Sequence, residues 1–345
     1  MKRNLLIATV CSLLLGGLLW FRAQTVLNPS WEQPAMSSSA RITLSGRFNA
    51  TRLKALRRQI DTALEESKQI VSIWDENTEI SRFNRFNSTE PFPVSAEFAR
   101  VVQFALDFSA LTGGAFDPTV KPLVDRWGFG PKRNSEPPEE IMDAVGWQKV
   151  RLENGALVKK HPRLQLDLAG LADGYGADCA AAVIRKSGCT NFLVEVGGGE
   201  IVAEGVNRSG NPWRAGIESP DPDKAPGEEI VLTMEVAGKA LTTAGDYRNF
   251  KIRDDGTRYS HIIDPHSGKP AESDVASVTV IAAHGIDADA LDTALCVMGS
   301  EKGLRWLETH PEFQAFFILH SSNGTFTVKA TPGFPGTGSP VAKSQ

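Results

Sequence analysis

Residues 192–203 read Phe-Leu-Val-Glu-Val-Gly-Gly-Gly-Glu-Ile-Val-Ala. An apolar strand, Phe192–Val196, runs into Gly197-Gly198-Gly199, and a second strand-like run, Glu200–Ala203, follows. Three residues without Cβ let a backbone approach a ligand closely, or let it turn as a tight hairpin. A dinucleotide-binding fingerprint needs a helix to open at this point, so the strand that follows excludes that fold.

Outward from this stretch, strands are expected at Val150–Leu152, Glu229–Val236, Ala237–Leu241 and Val275–Ala282. Helical spacing joins Phe98, Val101, Val102, Ala105 and Leu106, and stops at Gly113-Gly114. It also joins Leu171, Tyr175, Cys179, Ala182 and Val183, which stop at Gly188. A third helix is expected over Asp287–Met298, with Leu291, Leu295 and Met298 on one face. Strands in neighbouring runs, with helices interspersed irregularly, predict an α+β fold and not a regular βαβ array.

The chain has 345 residues, enough for two domains or one large one, with a candidate boundary near Pro131–Pro138. Its 41% hydrophobic and 23% charged residues exclude wholesale disorder and a polytopic membrane protein. The net charge of −4 lacks the basic excess of a nucleic-acid binder. Four cysteines, at 11, 179, 189 and 296, make neither a disulfide scaffold nor a paired-cysteine metal site, and a Cys179–Cys189 bridge is the pairing left open.

At the N-terminus, Lys2 and Arg3 precede an uncharged run from Leu5 to Phe21, the layout of an export signal. No small-residue cleavage site follows, since Trp20-Phe21-Arg22 is bulky. Residues 1–28 are therefore expected to be a retained membrane anchor, with a cleaved signal as the alternative. Residues 29–39 are expected as a Pro/Ser-rich tether, 40–330 as the folded body, and 331–345 as a disordered tail.

Several segments carry candidate chemistry. Asp167 stands where a strand hands over to a loop, in ligand-contact or helix-capping position, and the Gly170 carbonyl is accessible to a hard cation. Asp289, Asp292 and Thr293 fall on one helix face, and these oxygen donors suit Mg²⁺ or Ca²⁺, the alternative being a solvated acidic face. His261, in Ser260-His261-Ile262-Ile263-Asp264-Pro265, is a candidate general base or phosphate contact, or a structural histidine. Thr242-Thr243-Ala244-Gly245-Asp246-Tyr247 reads as a turn that contacts an anion or ribose, or as a plain turn.

The order of these segments resembles the ApbE-type flavin transferase family. Ser72-Ile73-Trp74-Asp75 through Glu79-Ile80-Ser81-Arg82-Phe83-Asn84 is similar to one family motif, and Gly114-Ala115-Phe116-Asp117-Pro118-Thr119 through Trp127-Gly128-Phe129-Gly130 to a second. The Asp167 segment, the glycine run, the Thr243 segment, the His261 segment and Asp289–Leu295 follow in family order. The resemblance spans about Met36 to Thr327 and implies a single large T-fold-related α+β domain.

The resemblance further implies an enzyme that takes FAD as substrate and Mg²⁺ as cofactor. It would transfer FMN to a threonine or serine hydroxyl of a target protein and release AMP. The metal set it implies is Gly170, Asp289 and Thr293, with Asp292 adjacent. The FAD contacts it implies are Met36, Trp74, Ala115, Phe116, Asp117, Asp167, Asp173 and His261, with Gly198 and Thr243 lining the same cavity. Four positions depart from the family pattern: Met36-Ser37-Ser38 replaces Met-Gly-Thr, Ala244 replaces a serine, Trp74 stands where tyrosine is common, and Asp173 where lysine or glutamate is usual. The expected partners are acceptor flavoproteins of exported or membrane electron-transfer systems. The alternatives are an FAD pyrophosphatase and a non-catalytic flavin-binding protein.

Overall fold

The computed structural model describes residues 25–36, 38–132, 136–236, 238–253, 255–322 and 324–336. Eight strands form one antiparallel sheet, in the spatial order Ser30–Ala35, Ser38–Leu44, Phe192–Val196, Glu200–Glu204, Lys239–Gly245, Val275–Ala282, Gln314–His320 and Phe326–Ala330. Val196 pairs with Glu200 and Leu193 with Ala203. Gly197 and Gly198 have φ of 69° and 95°, so the glycine run turns as a tight hairpin.

Alternation along each strand decides what each face buries. Ala40, Ile42, Leu44, Val194 and Val196 face a layer of helices. The first helix, Ala50–Val71, buries Leu53, Leu56, Ile60, Leu64 and Val71 at helical spacing, and the Asn49 side chain caps it by accepting from the N–H groups of Thr51 and Arg52. Helix Ala172–Lys186 lies in contact with it and with the long helix Gly285–Glu308. On the opposite face, Leu241, Ile281, Phe316 and Ile318 pack against the hairpin Arg214–Glu218/Ile230–Glu235 through Ala215, Ile217 and Met234.

Two glycines set the spacing of the last two helices. A Cβ on Gly174 would strike the Gly285 carbonyl and come within 2.8 Å of Asp289 Cβ, so only backbone fits at this crossing. The start of the long helix is capped from its neighbour, since Asp178 accepts from the N–H groups of Gly285 and Ile286, both at 3.0 Å. The helix breaks at Gly299, φ 76°, and restarts at Ser300, whose N–H donates to Asp274 Oδ1 at 2.9 Å. The expected helix Asp287–Met298 is thus its first segment.

Several expectations require correction. Residues 29–39 are not a tether, because Ser30–Ala35 pairs with Ser38–Leu44 along its whole length as the edge of the main sheet. Of the expected anchor, Thr25–Leu27 pairs with Arg47–Asn49 in a two-stranded ribbon, and residues 1–24 lie outside the described residues. Among the described residues no helix is long and apolar enough to cross a membrane. The start of the expected tail is packed, with Phe334 against Phe316 and the Thr331 N–H donating to Ala315 O, while residues 337–345 lie outside the described residues. Leu123 packs with Ile141, Val145 and Ile263 across Pro131–Pro138, so no core ends there. Cys179 and Cys189 are free thiols.

Candidate functional site

At the crossing of the two helices, carboxylates converge below the strand ends. The Asp289 Oδ2 atom accepts from the Gly174 N–H at 2.8 Å. Thr293 Oγ1 donates to Asp292 Oδ1 at 3.4 Å, and it also lies 3.0 Å from where a Cβ on Gly170 would sit. The four expected metal ligands, Gly170, Asp289, Asp292 and Thr293, are therefore brought to one place. Asp173, in the first turn of its helix, adds a carboxylate whose buried Oδ1 has no hydrogen-bond partner among the described residues.

Burial raises the pKa of Asp289, and the charge of Asp173 raises it further. Burial and then Asp289 do the same to Asp292. Burial alone pushes Asp173 up to about 6. Among the described residues no three His, Cys, Asp or Glu side chains close on one point. A cation held here would take a mixed set of carboxylate, hydroxyl and carbonyl oxygens, a donor chemistry that fits Mg²⁺.

A fourth carboxylate, Glu200, belongs to this group and was not anticipated. Burial and then the charges of Asp289, Asp173 and Asp292 push its pKa well up. The signal was present in the sequence: Glu200 is in phase with Val202, so strand alternation turns both toward the helices.

The second group lies on the loops beside the cluster. The Asp167 N–H donates to Pro118 O at 2.7 Å, which ties the Asp117 and Asp167 segments together. Both Asp117 oxygens are engaged within the chain, by Thr119 N–H and Oγ1 at 2.8 and 2.6 Å and by the Trp147 N–H at 2.9 Å. Asp167 Oδ1 accepts from the Ala169 N–H at 2.9 Å. Burial raises the pKa of both aspartates. Ala115 and Phe116 are buried, with the Phe116 ring 3.4 Å from the Cβ position on Gly170. Met36 takes φ 50° at the turn of the edge hairpin and fills the space above Gly176, one helical turn beyond Asp173.

Near these loops opens a cavity of about 800 Å³, lined by Trp74, Asn84, Lys121 and Asp125 among others. Trp74 is 64% exposed, so its ring is free to stack on a ligand. Lys121 and Asp125 form a buried ion pair in the wall, at i, i+4 spacing. Asn84 is pinned to Leu166 by paired bonds of 2.8 and 2.7 Å, which fixes the segment leading to Asp167; that segment is irregular and not the expected strand end.

His261 stands at the end of a separate ribbon, Phe250–Ile252/Arg258–Ser260. Its Nδ1 lies 3.1 Å from the carbonyl of Asn249. A carbonyl only accepts, so Nδ1 carries the proton and Nε2 presents its lone pair. Burial lowers the pKa of this ring, which keeps it neutral near pH 7.

One expected contact stands elsewhere. Thr243 is inside strand Lys239–Gly245 and not in a turn, with its hydroxyl 2.8 Å from that of Thr279 on the face away from the carboxylates. Alternation instead turns Thr242 toward the helices and Asp292, with its buried hydroxyl left without a hydrogen-bond partner among the described residues. Gly198 is at the exposed hairpin tip, next to Gly197, whose Cβ position is 2.7 Å from Asp173 Oδ2, so it borders the carboxylate group with open space beside it.

The chain is similar to several known proteins. The chain is 38% identical over 328 residues to the FAD:protein FMN transferase of Vibrio cholerae, spanning 93% of this chain and 95% of that protein. It is 36% identical over 314 residues to the protein of the same name from Escherichia coli K12, spanning 88% and 87%. The solved structure of the flavin transferase ApbE from Vibrio cholerae superposes with a TM-score of 0.78 at 36% identity, covering 90% of this chain and 98% of that one. The apo flavinyl transferase ApbE of Pseudomonas stutzeri gives 0.77 at 32% identity, covering 88% and 95%. The sequence profile of the ApbE family matches residues 36–317, and the chain belongs to that family.

Proposed function

We propose that this chain transfers FMN from FAD to a serine or threonine hydroxyl of a target protein and releases AMP, with Mg²⁺ held at Gly170, Asp289 and Thr293. The observation that carries the reading is a buried cluster of oxygen donors in which Asp173 Oδ1 has no hydrogen-bond partner among the described residues, in a chain where His261 keeps Nε2 as a base.

The chemistry is a displacement at phosphorus. The acceptor oxygen bonds to the phosphorus of the FMN half, and the bond from that phosphorus to the bridging oxygen breaks. AMP leaves with the electron pair, and the hydroxyl proton passes to His261 Nε2. A divalent cation held by Gly170, Asp289 and Thr293 would supply charge neutralisation to the diphosphate. The Asn249 carbonyl holds His261 in the productive tautomer. Trp74 offers a stacking face for a ring of FAD at the cavity mouth, and Asp117 with Asp167 hold the adjoining loops in register.

Lys2, Arg3 and the apolar run Leu5–Phe21 support an export segment that places the body outside the cytoplasmic membrane. The acceptors would then be exported or membrane electron-transfer proteins.

The test mixes the purified chain, FAD, MgCl₂ and candidate acceptor domains, and reads flavin fluorescence on a denaturing gel together with AMP release. Labelled acceptor with stoichiometric AMP is the expected result. AMP without label identifies water as the nucleophile and an FAD pyrophosphatase. Neither product leaves a binding protein.

A further inference from the structure

Among the described residues, the ribbon that ends in His261 has an edge with no pairing strand. Phe250–Ile252 and Arg258–Ser260 make a two-stranded sheet of their own among the described residues. The His261 N–H donates to Asn249 O and the Arg253 N–H to Thr257 O, so bonded pairs recur at every second position. That parity turns the N–H and C=O groups of Phe250 and Ile252 away from the ribbon. Ile252 itself is 66% exposed.

The ribbon is braced as a rigid platform. Tyr259 meets Trp127 and Phe129 edge-on, at 5.6 and 5.8 Å between ring centroids. Lys251 and Arg253 lie over Phe129 and Trp127, at 5.1 and 5.7 Å. The edge strand and the residue after it carry Lys251 and Arg253, with Asp246 before them and Asp254-Asp255 after them, and Arg248 is paired with Glu218. His261 reaches across the ribbon toward this same strand, since its Nδ1 is held by the carbonyl of Asn249.

We propose that the acceptor protein docks by adding an extended segment to the Phe250–Ile252 edge, with its reacting serine or threonine opposite Asn249 and on the His261 face. The proposal rests on the transferase reading above. Strand addition supplies main-chain hydrogen bonds for affinity and leaves alternate side chains for selection. The residue next to the hydroxyl then faces Phe250 and the one two places further on faces Ile252, while the position between them lies opposite Lys251 and suits an acidic residue.

Ile252→Pro removes one outward N–H and leaves the inward Lys251–Tyr259 pairing intact, because the two point in opposite directions. Ile252→Thr keeps the donor. The probe is a pool of synthetic nonapeptides with a central threonine and randomised flanks, with FMN addition read by mass spectrometry. Ile252→Pro is expected to lower kcat/KM for the pool about tenfold, with Ile252→Thr near wild type and FAD affinity of both unchanged. Amide hydrogen exchange of wild type is expected to show protection of Phe250 and Ile252 when the labelled peptides are added. Wild-type rates in Ile252→Pro, or no protection at these amides while the pool is labelled, would overturn the docking edge alone. A pool left unlabelled by wild type would overturn the transferase reading with it.

Discussion

The Asp289 carboxylate accepts its hydrogen bond from the backbone of Gly174, 2.8 Å away on the neighbouring helix. The helix crossing and the carboxylate cluster are therefore one construction. Gly174→Ala should separate the helices and displace Asp289. The expected loss is about 1–3 kcal/mol of stability from overpacking, together with weakened Mg²⁺ binding, measured by urea denaturation and calorimetry. Asp289→Asn keeps an acceptor for Gly174, so it should retain the fold while losing Mg²⁺ affinity and turnover. Full Mg²⁺-dependent turnover in Asp289→Asn would remove this residue from the metal set.

The protonation of His261 gives a signed pH dependence. Burial lowers its pKa, and the neutral ring is the competent form. Transfer should therefore rise with pH and reach its plateau below the ordinary imidazole value of about 6.5, because the base is already deprotonated there. His261→Asn should lower kcat by about a hundredfold or more and abolish this acid limb, with FAD affinity largely kept. A pH–rate profile of both proteins checks the sign.

The two neighbouring threonines should behave differently. Thr243→Ala loses only the bond to Thr279 on the far face, costing about 1 kcal/mol of stability without a change in turnover. Thr242→Val puts a methyl beside Asp292, and should lower Mg²⁺-dependent turnover with a similar or smaller effect on stability. Paired kinetics and thermal melts distinguish the two faces.

The Lys121–Asp125 pair is buried in the cavity wall. Lys121→Met leaves the Asp125 carboxylate uncompensated, at an expected cost of about 3–5 kcal/mol. Adding Asp125→Leu should recover most of that loss. Urea titration of the single and double variants measures it.

Much of this was legible in the residues. Strands Phe192–Val196 and Val275–Ala282 fall where their apolar runs predict, because both are central and buried by neighbours on either side. The i, i+3, i+4 spacing of Asp289, Asp292 and Thr293 was enough to place them together. Ser30–Ala35 was missed because Pro34 and polar residues disguise an edge strand, which needs only one inward-facing side. Thr243 was misassigned because a turn was placed too early, and a one-residue error in strand phase exchanges faces. Lys121 and Asp125 have the spacing of an ordinary surface pair, and only the surrounding loops bury them.

The order of strands also has a consequence for how the chain reaches its native state. The hairpin Ser30–Leu44 is made first, yet its inner strand pairs with Phe192–Val196, as Ile42 does with Val194. That partner lies in the second half of the chain. Closure across so long an intervening loop makes for slow, high-contact-order folding. Until the partner arrives, the inner strand has an open edge, and protecting that edge is a task for whatever handles the nascent chain.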